Sequence, residues 1–115
     1  MHGEAALPRC YNPGMEKGYT VVLSPDPESG GYSVSCPALP GAVSEGESRA
    51  VALANIAEAM AGWIELAAEH GQSPLPETPE LVAEEIALVL GYRGEEGWDL
   101  LVETAIVRPA MAAAA

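Results

Sequence analysis

Four acids fall in two close pairs, Asp26 and Glu28 in "SPDPESGG", and Glu45 and Glu47 in "VSEGES". Carboxylates gathered on rigid elements can hold divalent metal for phosphoryl chemistry, so these residues are weighed first. Both pairs sit among Pro, Gly and Ser, the residues of turns. Acids in such places read as solvated loop carboxylates that offer negative charge to a partner. His2 and His70 are isolated, and His70 ends a helical pattern, where its charge suits the helix dipole. Ser24, Ser33, Ser35, Ser44 and Ser48 have no visible His partner and no nucleophile elbow. No GxGxxG or P-loop pattern occurs. Cys10 and Cys36 lack the spacing of a zinc site or a disulfide framework. The residues point to no catalytic site, no metal and no cofactor, hence to a binding protein and not an enzyme.

The elements that must position these groups are legible as patterns. Tyr19 to Leu23 is a β-branched run, followed by the turn cluster and then by "GYSVSC". Alternation puts Tyr32, Val34 and Cys36 on one face, with Ser33 and Ser35 on the other. The two runs predict a hairpin with a longer loop. Next comes "PALPG". Pro37 cannot donate to a strand ladder, so it ends the pairing. Pro37 and Pro40 hold Cys36 and Leu39 extended, Gly41 turns the chain back, and Leu39 plugs the corner. "GAVSE" is then a third short strand.

A long helix follows, with Ser48 as its N-cap and Gly71 at its exit. Leu53, Ile56, Met60, Trp63, Ile64 and Ala67 make one apolar stripe, and Ala57, Ala61 and Ala68 allow close approach to the sheet. Asn55 is expected to tie this helix to the proline corner, and Trp63 and Trp98 to act as core or interface anchors. "PELVAEEIALVLGY" predicts a second helix, started by Thr78 or the adjacent proline, with Glu84 and Glu85 outward. "RGEEG" is expected to break it, ahead of a terminal strand from about Leu100 to Val107. The organisation is an irregular lead (1–16), a single α+β domain (17–108) and an alanine-rich tail (109–115).

The chain has 115 residues, of which 49% are hydrophobic and 19% charged, a globular composition. Seventeen acids face five Lys and Arg, for a net charge of −12. Phosphate backbones are bound by cations, so direct nucleic-acid binding is not expected, and neither is an anionic membrane. No apolar run approaches the ~18 residues of a membrane span. A reducing, cytoplasmic setting suits the idle thiols. A small sheet with a late strand leaves open edges, which predicts a homodimer or higher homo-oligomer.

Residues 19–77 carry an ordered set of features: "Y-x-V", the acidic Gly-rich turn, Pro37, Leu39, Pro40 and Gly41, then Glu45-Gly46. A capped helix with Ala52, Leu53, Asn55, Glu58, Ala59 and Trp63 and the exit "GQSPLP" complete it. This order resembles the HicB-like antitoxin family. Ala50 and Val51 stand where that family often has two glutamates. The resemblance implies a partial RNase H-like β-β-β-α-β fold: a three-stranded antiparallel sheet packed by a long helix, then a second helix and a terminal strand. It also implies an antitoxin that binds and blocks a small basic mRNA-cleaving RNase toxin. Asp26, Glu28, Glu45 and Glu47 would be its partner-binding acids. Relatives often add a DNA-binding unit. From Gln72 onward this chain has eight acids against Arg93 and Arg108, which is no DNA reader's charge. The alternative is a solitary HicB-like homo-oligomeric domain without a toxin partner.

Overall fold

The hairpin forms where turn chemistry places it. Strands β1 (Tyr19–Pro25) and β2 (Tyr32–Ser35) pair antiparallel, Val22 opposite Ser35 and Ser24 opposite Ser33. Asp26 N donates to Gly31 O at 2.8 Å, and Gly30 takes φ +81, a conformation open to glycine. Strand β3 (Val43–Gly46) pairs with β2 through Val34 opposite Ser44. These coordinates are a computed structural model that describes residues 13–110.

The terminal strand is part of the same sheet. Strand β4 (Glu103–Val107) runs antiparallel beside β1, from Tyr19 opposite Val107 to Leu23 opposite Glu103. The sheet has four strands, ordered β3-β2-β1-β4: the expected three-stranded antiparallel sheet, completed by the terminal strand. β4 also starts after Leu100, because Leu101 N donates to Asp99 O at 2.9 Å and holds the chain in a local turn.

Helix α1 (Arg49–Glu69) covers one face of the sheet. Ala52, Ile56, Met60, Ala61, Ile64 and Ala67 are buried against Tyr19, Val21, Leu23, Val34, Cys36 and Leu39. Each fully buried aliphatic side chain contributes roughly 1.5–3 kcal/mol relative to exposure. Leu53 and Trp63 of the expected stripe pack at its margin, half-buried. The close approach differs from the expectation. Ala52 and Ala61 face the sheet, Ala68 is exposed, and Gly46 meets the helix, since a Cβ there would lie 2.3 Å from Ala52 N. By composition α1 is long and apolar enough to cross a bilayer, yet its apolar side is the wall of this core. The Ser48 hydroxyl accepts from Val51 N at 3.1 Å, and Gly71 at φ +68 ends the helix.

Helix α2 (Pro79–Glu96) lies against β1. Val22, Ser24, Ser33 and Ser35 lie on the face opposite α1, since the pleat alternates. Thr78 caps the start with Pro79 behind it, as the sequence indicates. "RGEEG" does not break this helix. It runs to Glu96 and ends on Gly97 at φ +75, with Trp98 N donating to Arg93 O. The reason is Arg93, whose side chain is 2% exposed and continues the inward row Val82, Ile86, Val89. Glu85 also turns inward, half-buried, while Leu88 is 70% exposed. At the ends of the domain, Met15 joins the core, and Ala110 N donates to Ala57 O at 2.9 Å. Cys10, His2 and the rest of the lead (1–12), with residues 111–115, lie outside the described residues.

Candidate functional site

The proline corner is a pair of consecutive turns. Leu39 N donates to Cys36 O at 3.0 Å and Ala42 N to Leu39 O at 2.8 Å. Gly41 at φ +94 follows Pro40, the arrangement a type II turn requires. Pro37, Ala38 and Leu39 are buried under α1. Trp63 makes the tie to this corner, Nε1 donating to Pro40 O at 2.8 Å. Asn55 goes elsewhere: its Nδ2 donates to Glu45 O at 2.8 Å and fastens α1 to the outer edge of β3. The corner is a packing device that sets β3 in place.

With β3 placed, three of the four singled-out acids come together. Asp26, Glu45 and Glu47 line an open concavity of about 570 Å³ with Tyr32, Ser33 and Asn55. Glu28 is not among its lining residues. The Asp26 carboxylate accepts from Glu28 N at 2.8 Å and from Ser29 N at 3.3 Å. The Glu28 amide above all holds the Asp26 carboxyl below its ordinary value, helped by the nearby Arg93 cation. Its charge thus persists well into mild acid.

A second groove of about 510 Å³ adjoins on the α2 side of the sheet. Ser33, Ser35, Val43 and Glu45 line it from the sheet, and Glu85, Leu88 and Tyr92 from α2. Ser35 Oγ donates to Glu85 Oε2 at 2.7 Å across it. Val43, Leu88 and Tyr92 expose apolar surface at 64%, 70% and 55%. Asp26 and Glu45 border both concavities. The combined surface joins apolar patches to fixed carboxylates, and it can bind a cationic, partly apolar partner.

No reacting group is visible in this surface. Ser35 has a carboxylate partner but no imidazole, and His70 lies at the far end of α1 with Nδ1 2.9 Å from Leu66 O. Among the described residues no three His, Cys, Asp or Glu converge on a common point. Burial pushes the Cys36 thiol up to about 11. The sequence did not single out Glu85 and Arg93 for these roles. A signal existed for Arg93, a lone cation at the next step of an apolar row. Its guanidinium donates to Asp99 O, Pro25 O and Ser24 Oγ, and stands 5.5 Å from the Trp98 ring centre. Trp98 in turn meets Tyr92 edge-on, centroids 5.8 Å apart.

Comparisons with known proteins agree with this geometry. A family model described as the HicB_like antitoxin of bacterial toxin-antitoxin systems matches residues 19–98. A UPF0150 protein of Thermoplasma acidophilum is 40% identical over 70 residues, 61% of this chain and 94% of its own. The crystal structure of the Burkholderia pseudomallei antitoxin HicB is similar, with TM-score 0.54 and 28% identity over 78% of this chain and 61% of that one. The N-terminal domain of the same antitoxin gives TM-score 0.55 and 27% identity, covering 82% of this chain and 99% of that domain. The chain therefore spans about three fifths of the longer HicB structure and nearly all of its N-terminal domain. With the match running from β1 past the end of α2, this chain belongs to the HicB-like antitoxin family.

Proposed function

We propose that this protein acts as an antitoxin by binding a small basic mRNA-cleaving toxin, in a role that is binding and not catalysis. The observation that carries this reading is the gathering of Asp26, Glu45 and Glu47 around one open surface in a member of an antitoxin family. Five Lys and Arg against seventeen acids support a basic protein, and not a nucleic acid, as the partner. Apolar surface at Val43, Leu88 and Tyr92 would give such a complex its lifetime, and the acids its rate of encounter.

The test is co-expression with the short, lysine-rich product of an adjacent reading frame. Growth rescued by this protein, together with co-purification of the pair, is the expected result. If the product is toxic and is neither neutralised nor retained, the antitoxin reading fails and a solitary HicB-like domain takes its place.

A further inference from the structure

The two helices are held to the sheet by different chemistry. The register puts Thr20, Val22, Ser24, Ser33, Ser35 and Thr104 on the face opposite α1, mostly hydroxyls, with Val22 the buried hydrophobe among them. On its own side α2 buries one residue, Arg93, whereas α1 buries six, all of them apolar. Val82, Ile86 and Val89 are only half-buried. A hollow of about 470 Å³ lies beside the first half of α2, and one of about 510 Å³ beside the second.

Polar ties do the holding instead. Just ahead of the helix, Glu77 accepts from Thr20 N at 2.7 Å and from Thr20 Oγ1 at 2.8 Å, and Leu75 N donates to Ala38 O at 2.8 Å. Further along, Ser35 Oγ donates to Glu85 Oε2 at 2.7 Å. At the far end Arg93 donates to Ser24 Oγ and Pro25 O of the hairpin, while its bond to Asp99 O stays within its own end of the chain. Bonds such as these are exchanged for bonds to water on release, so each adds little net stability. Apolar burial has no such substitute, and under α2 it is scarce.

We propose that α2 is a detachable clamp. Arg93 lets go of the hairpin and Glu85 of Ser35, the helix swings on the anchored segment 75–78, and the core of α1 and the sheet stays folded. Residues 97–102 reach about 20 Å when extended, slack enough for β4 to keep its place beside β1. Glu85, Leu88 and Tyr92 form one wall of the groove whose other wall holds Ser33, Val43 and Glu45, so an open clamp leaves the groove one-sided. A partner seated there is held by the closed state, and its apparent affinity scales with the closed fraction. The clamp is a property of the free chain and does not rest on the antitoxin reading, so its test uses no partner.

That test is amide hydrogen exchange of the full chain. Off the sheet, an 18-residue helix is marginal in water, so its amides exchange each time the clamp opens. Amides of α2 should be protected roughly a hundredfold less than those of α1. Their exchange should also respond less to urea, because opening exposes less surface than unfolding. Glu85→Ala removes one tie and should lower α2 protection about fivefold. Ile56→Val thins the core beneath α1, whose contacts the open state keeps. It should lower α1 protection about fivefold and leave α2 unchanged. Equal protection of the two helices in the wild type, α2 protection unmoved by Glu85→Ala, or α2 falling together with α1 in Ile56→Val would each overturn the proposal. If a variant does not fold, the wild-type comparison and its urea dependence decide.

Discussion

Cys36 shows how position overrides residue type. It is 1% exposed beneath α1, and burial raises its thiol from an ordinary 9.0 to about 11. A group whose pKa is raised by folding adds stability that is whole below the unfolded value and is lost as pH climbs through the folded one. Stability should therefore hold to about pH 9 and fall toward about pH 11. Tyr19 is also raised, chiefly by burial, so Cys36→Ala should lessen the alkaline loss without removing it. Chemical denaturation across that range checks the point. In a Cys10→Ser background, the native protein should resist thiol reagents at pH 8 and react once unfolded. Rapid labelling of the folded chain would contradict the burial. Arg93 is the converse case, a cation kept inside because carbonyls, a hydroxyl and the Trp98 ring surround it. Removing such a group leaves its acceptors unpaired.

Helix α1 owes its position to contact more than to its own ends. Its first turn carries no acid, so Ser48 alone caps it, and the Arg49–Glu103 pair is exposed enough to add little. What seats the helix is the absence of a side chain at Gly46. A Cβ there would stand 2.3 Å from Ala52 N and 2.7 Å from the Val51 carbonyl carbon, both main chain. Backbone cannot step aside as a side-chain tip can. Gly46→Ala should cost about 1–3 kcal/mol by forcing α1 off β3. Ser48→Ala should cost ~1 kcal/mol, the usual worth of an N-cap. Urea unfolding of the two variants tests the order. Equal or inverted losses would mean that the helix end and not the close approach sets stability.

At the scale of the whole molecule, charge and apolar surface are unevenly placed. Acids collect where the hairpin and β3 meet, and bare apolar groups line the groove beneath α2 and the β4 edge. Glu45→Lys with Glu47→Lys reverses the acidic surface while sparing Asp26, which also closes the hairpin turn. Against the toxin of the proposed pair, association should slow by about tenfold or more at low salt, with dissociation little changed. Added salt should narrow the gap between variant and wild type. Stopped-flow association at two ionic strengths measures both. An unchanged rate would move the partner's footprint off this surface.

Alternation, turn residues and helix caps were readable in the sequence because each depends on neighbours a few positions away. The hairpin, the corner around Leu39, the Ser48 and Thr78 caps and the apolar stripe of α1 are all of that kind. So was the family resemblance, which is an order of such local features. Four things depended on residues far apart in the chain and were decided only by tertiary structure. β4 joined the sheet beside β1, more than eighty positions away at Tyr19 opposite Val107. Asn55 reached β3 while Trp63 took the corner. α2 ran on through "RGEEG" because the hairpin offered Arg93 its acceptors. Glu45 and Glu47 met Asp26 while Glu28, only two residues further along, did not line the same hollow. Local patterns specify elements. Which edge stays open and which acids share a surface follow from how those elements pack, and that is set by contacts the sequence order does not display.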